Sequence, residues 1–187
     1  MARTMGGTAE GTAPAGGSGD PRWLDADERE VWLGLLRVVS RLPSVFDARL
    51  GRAAGLSLFE YTILAMLSEQ ADATLRMSRL AAVSNASPSK LSHAARHLEG
   101  RGLLRRVPDP DDGRCIRAVL TDDGRTLVEA CAPAHVADVR ELLLDPLSPD
   151  QLRALREATG RILARVDPLG TTDPRGLAHG DHRPTPA

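Results

Sequence analysis

The stretch from Ser87 to Glu99 gathers the side chains best suited to chemistry at a charged surface. Ser89, Lys90, Ser92, His93, Arg96 and His97 fill its polar positions, while Leu91, Ala94, Ala95 and Leu98 recur at i, i+3, i+4 and i+7. The result is one narrow apolar stripe and one broad face of hydrogen-bond donors and acceptors, with a single acid, Glu99, at the far end. Such a face suits phosphates and base edges. The major groove of B-DNA admits one α-helix and presents a distinct donor and acceptor pattern at each base pair. A merely solvated amphipathic helix would show the same periodicity, so charge has to discriminate. Residues 76–108 carry Arg76, Arg79, Lys90, Arg96, Arg101, Arg105 and Arg106 against Glu99 alone, a net of +6 in a 187-residue chain whose total is −1.

A second candidate follows. Pro108-Asp109-Pro110-Asp111-Asp112-Gly113-Arg114 is dense in turn residues and lies between two short branched runs, Leu103–Val107 and Cys115–Leu120. This predicts a β-hairpin with a long tip. Arg114 at the tip is placed to enter the narrow, electronegative minor groove. Asp112, two residues earlier, is expected to hold its guanidinium in a bidentate pair. Arg76, Ser87, Ser89, Lys90, Ser92, His93, Arg96, Asp112 and Arg114 therefore form the expected DNA-contact set.

Other chemistry finds little footing. His93 and His97 are four apart, but no H-E-x-x-H pattern or third ligand accompanies them, so no metal site is expected. No glycine-rich phosphate loop or nucleophile elbow is present, and neither an enzyme nor a cofactor is indicated. Cys115 and Cys131 lack C-x-x-C spacing and read as reduced thiols, which with no signal-peptide layout predicts a cytoplasmic protein. No apolar run approaches the ~20 residues that cross a bilayer.

These candidates need elements to hold them. Aromatic residues make up only 3% of the chain against 42% apolar, so the core must be Leu, Val, Ile and Ala, a composition that favours helices. A first helix is expected over about Asp25–Arg52, bent at Pro43. Ser57-Leu58-Phe59-Glu60 opens a second with a full capping box, and Leu56 and Tyr61 form its hydrophobic staple. Ala71–Thr74 reads as a connector, and Arg76–Val83 as a short third helix with Met77, Leu80, Ala81 and Ser84 inward. Ser84-Asn85-Ala86 is a tight turn before the Ser87 cap and Pro88. After the hairpin, Thr121 caps a fifth helix, kinked at Pro133, with Val128, Ala132, Val136, Val139 and Leu143 as its stripe. Ser148-Pro149-Asp150-Gln151 caps a sixth. Residues 1–20 and 168–187 are rich in small and polar residues, and both read as disordered tails. The fold class expected is mainly α with a small β-hairpin wing, a winged helix-turn-helix flanked by longer helices.

The ordered pieces together resemble the MarR family of bacterial regulators. The resemblance covers roughly Trp23–Val166. It rests on Gly55-Leu56-Ser57-Leu58-Phe59-Glu60-Tyr61, on Leu75-Arg76-Met77-Ser78-Arg79-Leu80-Ala81, and on His97-Leu98-Glu99-Gly100-Arg101-Gly102-Leu103-Leu104. It continues through Asp109-Pro110-Asp111-Asp112-Gly113-Arg114 and Leu120-Thr121-Asp122-Asp123-Gly124. It implies one domain over residues 21–167, with dimerisation helices at about 24–53 and 122–167 and the winged module at about 55–120. The family's recognition helix maps onto Ser87–Glu99 and its Asp-x-Arg wing signature onto Asp112 and Arg114. The implied function is a repressor that binds double-stranded DNA as a homodimer at an inverted repeat. The implied regulator is a small lipophilic or phenolic effector, in a cleft that Trp32, Phe46, Phe59 and Tyr61 are placed to line. Redox-sensing members carry a cysteine near the start of the first helix, which this chain lacks. The rival reading is a winged-helix module that binds protein instead of DNA, and the basic outer face disfavours it.

Overall fold

The computed structural model describes residues 21–173. The expected tail 1–20 and all of 174–187 lie outside the described residues. Residues up to Val38 form one unit and those from Val39 onward another. The described residues fold into α1 (Ala26–Ala54), α2 (Leu58–Ser68), β1 (Thr74–Arg76), α3 (Met77–Val83) and α4 (Pro88–Gly100). Then come β2 (Leu104–Pro108), β3 (Ile116–Leu120), α5 (Asp122–Val139), a π-helical turn (Arg140–Leu144) and α6 (Pro149–Val166).

Local chemistry sets most boundaries. Asp25 and Glu28 bond reciprocally at the start of α1, Glu28 N–H donating to Asp25 Oδ1 at 2.8 Å and Asp25 N–H to Glu28 Oε2 at 3.1 Å. The helix continues through Pro43. Gly55, at φ 63°, ends it. The next residues build the α2 capping box, with Ser57 and Glu60 each accepting from the other's backbone N–H. Leu56 and Tyr61 are both buried beside it, as a staple requires. Thr121 and Ser148 cap α5 and α6 in the same manner, the latter with Gln151 as its reciprocal partner.

The core is a single cluster centred on Leu56, Ile63, Leu64, Leu67, Leu80, Leu91, Leu98 and Leu104, all essentially without exposed surface. Four residues of α4 enter it, Leu91, Ala94, Ala95 and Leu98, the stripe expected from spacing. On α3 the inward residues are Leu80, Ala81 and Val83. The α5 stripe is narrower than expected: Val128 and Cys131 are buried, whereas Val136 is exposed. Residues 168–173, placed by sequence in the tail, make turns in which the Asp167 carboxylate accepts bonds from Thr171 and Thr172.

The hairpin is part of a three-stranded antiparallel sheet, ordered β1-β3-β2. A strand not expected from sequence, Thr74–Arg76, begins at the last residue of the expected connector, takes in the expected first residue of the third helix, and pairs with Val119, Ala118 and Arg117. Ala73 leads into it at φ 53°, its carbonyl accepting Leu120 N–H at 2.9 Å. Gly124, in the first turn of α5, lies hard against the root of the sheet. A Cβ there would sit 2.0 Å from the Leu103 carbonyl oxygen.

Candidate nucleic-acid interface

The outer face of α4 is presented as its spacing requires. Ser87 caps the helix, its hydroxyl accepting Lys90 N–H at 3.2 Å and standing 3.1 Å from the Ser89 hydroxyl. Ser89, Lys90, His93 and Arg96 are exposed and Ser92 half-buried. The Arg96 guanidinium leans back on the Ser92 carbonyl at 3.3 Å, which holds it along the helix surface. Lys90 Nζ lies 4.3 Å over the ring of Phe59, a cation–π contact that ties the chain's one lysine to α2.

His97 shares the polar face but lies outside the expected contact set. Its Nδ1 is 2.5 Å from Glu60 Oε1 on α2, while about half of its side-chain surface stays exposed. Burial pushes the Glu60 carboxyl up, but the Ser57 N–H, His97 and the Ser57 hydroxyl together outweigh it, and the net shift is downward.

Internal partners also take up much of the basic patch. Arg101 donates to the Ala54 and Gly55 carbonyls at 2.9 and 2.8 Å, closing the C-terminal end of α1. Arg106 donates to Glu99 through its backbone N–H, Nε and Nη2 at 2.9, 2.9 and 2.6 Å, locking the end of α4 to β2. Those bonds hold the Glu99 carboxyl below its ordinary value. Arg76 is half-buried, and its Nε meets Asp109 Oδ2 at 2.6 Å.

Asp109 is the acid that organises the wing. Only 2% exposed, it accepts from Arg117 Nε and Nη2 at 2.9 and 3.1 Å, from Arg76, and from Asp111 N–H at 2.9 Å. Arg117 and the other donors hold its carboxyl far below the usual range against the opposing effect of burial. Asp112 does not grip Arg114 in a bidentate pair. Its Oδ1 accepts Arg114 backbone N–H at 3.1 Å and is 3.5 Å from Nε, while its Oδ2 accepts the Cys115 thiol. In a tight tip the nearest donors to an Asx side chain are backbone N–H groups, which explains the change of partner. The Arg114 side chain is 96% exposed and projects from the tip. The same Asp112 bond pushes the Cys115 thiol up, away from the reactive thiolate.

Within the second unit the aromatic candidates divide between two places. Phe46 and Tyr61 are buried in the core, each tilted against the His135 ring at 5.3 and 4.6 Å between centroids. Phe59 lies beneath Lys90 instead. Trp32 belongs to the N-terminal unit, where it is half exposed. His135 carries no signal in sequence, being a lone histidine on α5. A cleft of about 440 Å³ opens elsewhere, between α3, α4 and the wing, lined by Met77, Ala81, Leu91, Ile116, Ser92 and Arg106 among others. Among the described residues no cluster of three or more His, Cys, Asp or Glu could hold a metal ion.

A short helix, a tight turn, an outward-facing second helix and a flanking sheet define a winged helix-turn-helix, a class of nucleic-acid-binding module. Comparison with known proteins gives the same class. Residues 56–116 match the MarR family model. The HTH-type transcriptional regulator PecS of Dickeya dadantii (strain 3937) is 30% identical over 132 residues, 68% of this chain and 79% of PecS. Among solved structures, Sco3205, a MarR family transcriptional regulator from Streptomyces coelicolor in complex with DNA, is 36% identical. It superposes with a TM-score of 0.77 over 80% of this chain and 94% of its own. AbsC, a MarR family regulator from the same organism, is also 36% identical, with a TM-score of 0.73 over 78% and 97%. The chain belongs to the MarR family and is a DNA-binding transcription regulator.

Proposed function

We propose that this regulator acts as a repressor, binding an inverted-repeat operator as a homodimer with α4 in the major groove and Arg114 in the adjacent minor groove. The observation that carries this reading is the joint exposure of Ser89, Lys90, His93 and Arg96 on one face of α4 with a fully projecting Arg114 on the neighbouring wing. Ser87 and Ser92 flank that face and add hydroxyls for phosphate. Arg76 and Asp112 serve the interface from behind, through Asp109 and the backbone of the wing tip. The complex of Sco3205 with DNA, at 36% identity, supports DNA as the partner of this chain.

The homodimer is supported by α6. None of its 18 residues is buried, yet Leu155, Ile162, Leu163 and Val166 are all exposed apolar side chains. An amphipathic helix with an uncovered stripe needs a partner surface. A second inference concerns the effector. The cleft between α3, α4 and the wing, mostly apolar with Ser78, Ser92 and Arg106 in its lining, has the composition of a site for a small lipophilic or phenolic molecule, and an occupant there would disturb the spacing of helix and wing. A cytoplasmic location goes with the proposed role. No single helix among the described residues is long and apolar enough to cross a membrane.

The deciding experiment measures binding of Arg96→Ala and Arg114→Ala to a duplex enriched from a random library by the wild-type chain. Each substitution should weaken binding while leaving the oligomeric state unchanged. If the dimer neutralises ~6–10 phosphates, wild-type affinity should fall roughly 10³–10⁵-fold between 50 and 200 mM salt. Unchanged affinity in both variants with a flat salt response would favour the protein-binding rival.

A further inference from the structure

The first turn of α2 holds α4 at two points. Phe59 lies under Lys90, near the start of α4, and Glu60 meets His97, two turns further on. Between them Leu91, Ala94, Ala95 and Leu98 set the depth of the helix in the core. Rotation of the helix about its own axis is held on the β2 side by the Glu99–Arg106 bonds and on the α2 side by Glu60. A short, directional hydrogen bond resists it well.

Glu60 is built for that role. Its Oε2 accepts Ser57 N–H at 2.9 Å and the Ser57 hydroxyl at 3.0 Å, so the capping box fixes the carboxylate before α4 arrives. Its Oε1 remains for His97 Nδ1. The Glu60 side chain is 12% exposed, and that of His97 is 51% exposed. An ionised carboxylate only accepts, so Nδ1 carries the proton and donates. His97 directly follows Arg96 and lies one helical turn after His93, two of the side chains meant for DNA.

We propose that Glu60 and His97 are positioning residues for operator discrimination: their contact fixes the rotation of α4 and so aims His93 and Arg96 at the base edges. This rests on the reading that α4 enters the major groove. A positioning pair neutralises no phosphate, so it should govern discrimination between sequences without altering the salt dependence of binding.

The test uses the full chain, the enriched duplex and a scrambled duplex of the same composition, with binding followed by fluorescence anisotropy over a salt series. Glu60→Gln keeps the capping box, in which Gln serves as well as Glu. With its carbonyl engaged by Ser57, it turns an amide donor toward Nδ1, which the other His97 tautomer accepts, so this variant keeps the contact without its charge. His97→Leu removes the contact, and His97→Asn restores an N–H close to the Nδ1 position. The expected result is a loss of about ten-fold or more in the enriched-to-scrambled affinity ratio for His97→Leu and a smaller loss for Glu60→Gln. The slope of log affinity against log salt should stay unchanged, His97→Asn should recover most of the ratio, and the double variant should be no worse than His97→Leu alone. Wild-type ratios in both single variants would overturn the positioning role. So would a salt slope shallower by about one per subunit in His97→Leu, since His97 would then be touching phosphate itself. A wild-type chain that discriminates between no duplexes would instead overturn the DNA-docking reading on which the proposal rests.

Discussion

Arg76 and Arg117 stand directly opposite each other across the antiparallel β1–β3 pair, and both guanidiniums are tied to the single buried carboxylate of Asp109. Like charges in opposed positions destabilise a sheet. Here one acid from the wing tip reconciles them and, in doing so, joins the strand that leads into α3 to the strand that leads out of the tip.

Asp109→Asn should therefore cost more than Asp112→Asn, although Asp112 carries the family signature. The first should lower Tm by several degrees and weaken DNA binding, and the second should leave Tm nearly unchanged. The sign with pH follows from the lowered carboxyl. The stabilisation is present above the unfolded value of about 3.9 and fades as pH falls below it. Thermal melts from pH 7 to pH 2 should show a shallower acid limb for Asp109→Asn, and identical limbs would refute the assignment.

Gly124 offers a steric test. A Cβ 2.0 Å from a backbone carbonyl oxygen cannot be absorbed by rotating a side chain. Gly124→Ala should cost about 3 kcal/mol, at the upper end for overpacking. Gly51, inside α1, provides the contrast, since a methyl added there would meet nothing within 4 Å. Gly51→Ala should stabilise by roughly 0.5–1 kcal/mol through helix propensity alone. Urea denaturation of the two variants should move the midpoint in opposite directions.

His135 should make stability sensitive to mild acid. Burial between Phe46 and Tyr61 pushes its pKa down, and its Nδ1 has no hydrogen-bond partner among the described residues. The neutral form is favoured in the fold, so its contribution is complete above the unfolded value of about 6.5 and declines as pH drops below it. His135→Phe should remove that part of the stability–pH curve between pH 7 and pH 5. A curve unchanged by the substitution would mean that His135 does not titrate with unfolding.

The exposed stripe of α6 should be covered in solution. Ile162→Asp with Leu163→Asp should shift the chain from dimer to monomer in sedimentation and abolish tight operator binding while leaving helicity largely intact. A wild-type chain that sediments as a monomer at micromolar concentration would contradict the dimer. With a dimer, footprints should show two half-sites about one helical turn apart, ~10 bp centre to centre.

What sequence revealed here was chiefly what depends on neighbours in the chain. Ser57 and Glu60, Ser148 and Gln151, and Thr121 with Gly124 each bond within three residues, so side-chain type alone locates the helix starts. The stripe on α4 is periodic, and the core took it up as written. Apart from the local Asx bond of Asp112 to the Arg114 backbone, the failures are non-local. β1 is three residues long, too short for an alternation to register, and exists because β3 lies beside it. Helical spacing placed His97 on a polar face without disclosing that its Nδ1 meets Glu60, 37 residues away. Asp109 and Asp112 share one turn, and only the paths of β1 and β3 decide which of them meets two arginines. Phe46 and Tyr61 were candidates for a ligand cleft because apolar periodicity does not distinguish a cavity wall from packed core.

The pairing of β1 with β3 also bears on how the protein comes into being. Thr74 must wait for Val119, and until then the segment before α3 has no edge to bind. Helices α2 to α4 can form from contacts nearby in the chain, whereas the sheet closes a loop of more than forty residues and is the slow, high-separation step. A nascent chain that has emerged only as far as Gly113 holds the recognition helix but not the strand that completes the sheet. The helices of the proposed DNA-binding face can therefore form first, and the wing beside them is completed only late in synthesis, when β3 arrives.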